Sequence, residues 1–145
     1  MTRWVVLHEH RVAGADLDAD GTVTDEAVGR WATAARDAYL DRCVVLRRVA
    51  GEPGLAVAAR SAGPTQGALA GRPTDVVATA TATEVRPASF TISVRMRAVG
   101  GAESFPLGIR YRIVLEDAAT GEVRELGTEI RDELIAMEHS ATHFN

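Results

Sequence analysis

The sequence predicts an α+β domain in which one long helix packs on a curled antiparallel sheet of about five to six strands. Three observations carry this. A 3.6-residue apolar period runs through residues 24–42 and then stops. From residue 76 onward the period becomes two, the mark of half-buried antiparallel strands. Between them, residues 50–74 are punctuated by Gly51, Pro53, Gly54, Gly63, Pro64, Gly67, Gly71 and Pro73, which no long regular element accommodates. A length of 145 residues argues for one domain, spanning 1–145.

Residues 3–12 read as a first strand, ended by Gly14. Asp16, Asp18, Asp20 and Gly21 then supply turn chemistry. Thr24 is the expected N-cap of the helix, with Asp25 and Glu26 in the first turn, where the helix dipole favours negative charge. Val28, Trp31, Ala32, Ala35 and Tyr39 share one helical face. The helix is expected to end between residues 42 and 48. Residues 50–74 are expected to form a long loop with one short element at 55–60.

Val77, Thr79, Thr81, Thr83 and Val85 then line one side of a strand, opposite Ala78, Ala80 and Ala82. Arg86-Pro87 breaks the run. Ile92, Val94, Met96 and Ala98 oppose Ser93, Arg95 and Arg97, and Gly100-Gly101 makes a turn. Ile109, Tyr111, Ile113 and Leu115 alternate with Arg110 and Arg112, and Ala119-Thr120-Gly121 marks another turn. Leu126, Thr128, Ile130 and Leu134 against Glu125, Glu129, Arg131 and Glu133 are expected to form a fourth long strand. One apolar helix and one amphipathic sheet must bury their faces on each other.

Composition narrows the function. The net charge of -4 argues against a general nucleic-acid binder, which needs a basic surface. No run approaches 18 apolar residues, so no membrane span is expected. Trp4-Val5-Val6-Leu7 reads as strand rather than as a signal-peptide layout. With Cys43 as the single cysteine, a cytoplasmic setting is the expectation. All 16 basic residues are arginine, which excludes lysine Schiff-base chemistry.

The segment Asp16-Leu17-Asp18-Ala19-Asp20-Gly21-Thr22-Val23, followed by a helix carrying Trp31 and Ala35-Arg36, resembles the first-strand-to-helix segment of the 4-hydroxybenzoyl-CoA thioesterase-like family of hotdog-fold thioesterases. Its pattern there is Asp-x-Asp-x-x-Gly-x-Val. Glu84-Val85-Arg86-Pro87-Ala88-Ser89-Phe90 looks like the family's strand ending in a Pro-Ala turn, and Glu103-Ser104 and Thr120-Gly121-Glu122 fall at its strand-start and hairpin positions. The resemblance covers residues 4–42 and 76–138. It implies a hotdog fold, hydrolysis of an acyl-CoA or acyl-carrier-protein thioester, and a homodimer or homotetramer. It places the catalytic carboxylate on Asp18 and the oxyanion donor at the helix start, Thr24 and Asp25, with the acyl chain near Trp31. No cofactor is implied beyond coenzyme A as part of the substrate. The sequence departs from the family at Thr22-Val23-Thr24-Asp25, where many relatives carry His-Val-Asn-Asn, and over the longer 43–75 segment. A non-catalytic acyl- or small-ligand-binding protein is therefore the alternative. A hotdog dehydratase lacks a clear histidine partner for the aspartate.

The chemistry fits the placement, since thioester hydrolysis needs a carboxylate and oxyanion donors, and a helix N-terminus offers free N–H groups. A plain turn aspartate is the other reading of Asp18. Asp16, Asp18, Asp20 and Gly21 also match the first positions of a calcium loop, but position 12 is Ala27 where a bidentate Glu is needed. His8 with His10, and His139 with His143 beside Glu138, have metal-ligand spacing without a third ligand, so no metal site is expected. Arg95 with Arg97 and Arg110 with Arg112 form cationic stripes that can meet coenzyme A phosphates or solvent. Cys43 has no flanking signal of a nucleophile. Ser61, Ser89 and Ser104 lie in no Gly-x-Ser-x-Gly context.

Overall fold

Thr24 starts the long helix as its sequence requires: its hydroxyl accepts the N–H of Ala27 at 3.2 Å, and α1 (Asp25–Asp41) follows. The computed structural model describes residues 6–100, 105–138 and 140–144. Trp4, Val5, Gly101, Glu103, Ser104 and His139 lie outside them. β1 (Val6–Arg11) precedes α1, and α2 (Val44–Ala50), β2 (Leu55–Ser61), β3 (Asp75–Val85), β4 (Phe90–Ala98) and β5 (Leu107–Asp117) follow it. β6 (Val123–Arg124), α3 (Thr128–Met137) and β7 (Thr142–His143) complete the described chain.

The strands form one sheet in the order β1-β3-β4-β5-β2, with β6 extending β5 and β7 running parallel to β3. All the long pairings are antiparallel. The inner face carries Val76, Ala78, Ala80 and Ala82 beside Ile92, Val94 and Met96, all at most 2% exposed. Against it α1 buries Ala27, Trp31, Ala32, Ala35 and Tyr39. Alanines on both partners bring the helix close to the sheet. Trp31 stacks on His10 of β1, and Arg36 lies 4.9 Å from the Tyr111 ring centroid of β5, so the sheet embraces α1 from both sides. Full burial of an Ile92-sized side chain contributes about 1.5–3 kcal/mol.

Two expectations are corrected and two are refined. Residues 128–137 are helix, not a fourth long strand. Ile130, Leu134 and Met137 recur at i, i+4 and i+7, and Ile130 and Leu134 are buried. The expected 55–60 element is present as a sheet strand: every β2 residue pairs with β5, from Leu55 opposite Asp117 to Ser61 opposite Tyr111, which leaves 51–54 and 62–74 as loop. Val85 does not share a face with Thr79 and Thr81, because a bulge between Ala82 and Glu84 turns it inward to oppose Phe90. The end of α1 falls where expected, at Asp41 with Arg42 as its C-cap, and α2 is a separate helix. Cys43 leaves the helical conformation between them, and the Glu133 carboxylate of α3 accepts the Val45 N–H at 3.1 Å.

Cys43 is fully buried, and burial pushes its thiol up to about 12, which makes it an inert core residue. No helix among the described residues is long and apolar enough to cross a membrane.

Candidate functional site

The acidic segment ahead of α1 is a tight reversal in which the aspartates do different things. Leu17 and Val23 bridge antiparallel and close the loop. Asp18 is its clasp: Oδ1 accepts the N–H of Asp20 at 2.9 Å and of Thr22 at 3.0 Å. Gly21, at φ 79°, takes the left-handed conformation that favours glycine, with the Arg72 side chain packed against it. Asp16 instead turns inward. It is 6% exposed, accepts the Ala13 N–H at 2.8 Å and pairs with the Arg30 guanidinium. The calcium-loop reading is set aside on this geometry, because Asp16 and Asp18 are committed to different partners. No group of three His, Cys, Asp or Glu converges among the described residues.

The Ala13 N–H, and then Arg30, hold the Asp16 carboxyl below the usual range. A folded-state pKa below the unfolded value of about 3.9 gives stability that is complete above that value and is lost as pH falls through the folded pKa. Unfolding curves taken through acid pH should therefore steepen for the wild type and flatten for Asp16→Asn. Parallel pH dependence in the two proteins would remove Asp16 from this role.

Beyond the turn, a cavity of about 370 Å³ opens between the first half of α1 and the start of β5. Thr22, Asp25, Val28, Gly29, Leu69 and Ile109 are among its walls. The 62–74 loop closes it: Gln66 and Gly108 exchange both backbone hydrogen bonds at 2.8 Å, and Gly67 at φ 76° tucks against the Pro106 carbonyl. The first turn of α1 faces this space. Thr24 Oγ1 engages Ala27 and the Thr24 carbonyl engages Val28, while no acceptor among the described residues takes the N–H of Asp25 or Glu26. Unengaged donors at a helix start carry partial positive charge.

Of the residues singled out in the sequence, Asp25 lines this cavity, while Thr24 caps the helix beside it and is not among the lining residues. Asp18 is exposed on the turn that delivers Thr22 to it and is not itself among the lining residues. Trp31 is 4% exposed and stacks on His10, at the β1 side of the helix, and is not among the residues lining this cavity. The His10 ring, half-buried there, is held below its ordinary pKa by desolvation and by His8 and Arg30. Arg95, Arg97, Arg110 and Arg112 lie on the outer face of the sheet, away from α1, beside Thr79, Ser93 and Thr91.

No family model matches the chain, and no curated protein matches it in sequence. Solved structures do match. A thioesterase-superfamily protein from Jannaschia is 20% identical with a TM-score of 0.70, covering 92% of this chain and 83% of its own. A 1,4-dihydroxy-2-naphthoyl-CoA thioesterase from Synechocystis is 15% identical with a TM-score of 0.66, covering 88% of this chain and 93% of its own. The chain has the hotdog fold. A 12:0-ACP thioesterase from Umbellularia californica reaches a TM-score of 0.73 at 13% identity, and this chain spans 53% of its length.

Within this hotdog, the cavity residues that sequence reading passed over include Gly29, Thr65, Ala68, Leu69 and Leu107. Gly29 had a signal: a glycine in the interior of a capped helix calls for a reason beyond the backbone. Leu69 and Leu107 had none, since the loop and the strand meet α1 only through the tertiary fold.

Proposed function

We propose that this hotdog protein hydrolyses acyl thioesters, carried by coenzyme A or by a carrier protein, at the cavity beside the start of α1. The observation that carries the reading is a cavity with Val28, Leu69, Leu107 and Ile109 in its walls, which Asp25 lines at the start of a 17-residue helix whose Asp25 and Glu26 N–H groups are unengaged among the described residues. In this reading the thioester carbonyl oxygen meets the N–H groups of Asp25 and Glu26, where one such donor contributes about 3 kcal/mol to the transition state. The acyl chain runs past Val28, Leu69 and Ile109. Asp18, with Oδ1 fixed by its own turn, takes the proton of the attacking water on Oδ2. The tetrahedral intermediate then expels the thiolate, which leaves as the free thiol once protonated. Coenzyme A enters only as part of the substrate. The solved neighbours named for a CoA thioester and an ACP thioester support these two carriers as the substrate classes. Association into a homodimer or homotetramer belongs to the same proposal, since β1 and β2 are edge strands that can add a neighbour. A cytoplasmic setting is consistent with a buried, free Cys43.

A second reading, non-catalytic binding of an acyl ligand, is favoured by one feature: Asp18 is exposed, bonded to its own turn and outside the cavity walls. A panel of acyl-CoA and acyl-carrier-protein thioesters assayed for thiol release separates the two. Release with saturation kinetics is the expected result, and tight binding without release would replace hydrolysis by the second reading.

A further inference from the structure

Five arginines share one sheet face in a chain of net charge -4. The strand registers put Arg112 opposite Arg60 and Thr91, Arg110 opposite Ser93, and Arg95 opposite Gly108 and Thr79, while Arg97 is opposite Val77. All lie on the side of the sheet away from α1. Part of this charge is engaged: Arg60 pairs with Glu116 at 2.7 Å, and Arg97 lies over the Phe105 ring. Neither Arg110 nor Arg112 forms an ion pair among the described residues.

The face is notched rather than flat. Gly108 leaves one side chain out of the ladder opposite Arg95, and Ser93 is small. The result is a polar cavity of about 280 Å³ bounded by Pro64, Gln66, Ser93, Arg95, Gly108 and Arg110. Its rim is fixed, because the Gln66 and Gly108 backbones are bonded to each other in both directions.

We propose that this notch binds a phosphate group, as a phosphate monoester or a diphosphate. The Arg110 guanidinium offers a forked, charge-assisted donor matched to phosphate oxygens, Arg95, which has a partner of its own, adds positive charge beside it, and Ser93 and Gln66 add neutral donors. Two-residue alternation separates the notch from the helix-side cavity. Thr65, Gly67, Leu107 and Ile109 line one, and Gln66, Gly108 and Arg110 line the other. The phosphate site thus stands on the charge and shape of the outer face. Only the version in which a thioester substrate carries the phosphate rests on the hydrolase reading.

Calorimetric titration with pyrophosphate, ADP and coenzyme A tests the proposal without any turnover. Arg110→Gln removes one fork. Gly108→Val fills the notch, and the backbone admits it: a Cβ there meets only the Val94 carbonyl at 4.0 Å, and valine suits a strand. Each variant is expected to weaken pyrophosphate binding about ten- to hundredfold, Arg110→Gln by the loss of a charge-assisted hydrogen bond and Gly108→Val by excluding the anion from the notch. Arg124→Gln, whose partner is Asp117 away from the notch, should bind as the wild type does. Coenzyme A binding tighter than pyrophosphate supports a substrate arm as the source, and equal affinities support a free phosphate compound. No binding at millimolar pyrophosphate, or unchanged affinity in both notch variants with intact thermal melts, overturns the site. Pyrophosphate binding by a protein that hydrolyses no thioester would count against the hydrolase reading alone.

Discussion

Gly29→Leu is expected to stop thioester turnover while making the protein harder to unfold. Gly29 lies inside α1 and forms part of the cavity wall. A Cβ built there meets nothing within 4 Å, so an added side chain enters open space rather than the core. Glycine in a helix interior is less stable than alanine by roughly 0.5–1 kcal/mol, and leucine is nearly as good a helix former as alanine. The substitution should therefore raise the melting temperature by a few degrees. The same isobutyl group occupies the space proposed for the acyl chain next to Val28. Displacing the reacting carbonyl from the Asp25 and Glu26 donors by even an ångström lowers the rate on the order of 100-fold. Gly29→Ala should give the stability gain with a smaller loss of rate. Thermal melts and kcat/KM on one acyl-CoA read both effects. A Gly29→Leu protein with wild-type kcat/KM would show that the acyl group does not enter this cavity.

The helix was legible because its signals are local. Thr24 caps, acidic residues open the first turn, and the apolar spacing names the buried face, which the structure bears out from Trp31 to Tyr39, with Ala27 rather than Val28 buried in the first turn. The alternation over β3, β4 and β5 was equally plain, because strands buried on one face must repeat every two residues. What was missed, or read only in part, needed context. In β2 the alternation of Leu55, Val57 and Ala59 with Ala56, Ala58 and Arg60 is blurred by alanines, which carry little contrast, and glycine and proline surround it. Over 126–130 a two-residue period is present for three apolar or small positions. The helical spacing of Ile130, Leu134 and Met137 wins once α3 can bury that face against the core. The bulge at Thr83 has no mark in composition, yet it decides that Val85 joins Phe90 inside.

The candidate site divides in the same way. Its near half, from Asp18 through Thr22 to Asp25, lies within one turn of chain and could be read from turn and cap chemistry. Its far half, Leu69, Leu107 and Ile109, comes from segments at least 40 residues away in sequence. Trp31 shows the limit of periodicity: it assigns a residue to the buried face of a helix but not to one flank of it, and only the tertiary fold put His10 on that flank. Asp16 looked equivalent to Asp18 in sequence. The difference is Arg30, which meets Asp16 from the second turn of α1 and ties the acidic turn to the helix.

Asp18→Asn is expected to lower kcat by roughly 10²–10⁴, the usual contribution of a positioned general base, with little change in KM. The amide keeps a carbonyl oxygen that can accept the N–H groups of Asp20 and Thr22, so the turn and the melting temperature should survive. What it removes is the negative charge that would take a proton from water. Asp18→Ala removes both, and should lose turnover together with some thermal stability, because two backbone donors lose their acceptor. The pair separates chemistry from architecture: a carboxylate that only clasps its turn predicts a normal Asp18→Asn enzyme and an impaired Asp18→Ala one. Wild-type kcat in Asp18→Asn would remove Asp18 from the reaction and leave the helix start and its cavity as the whole of the site.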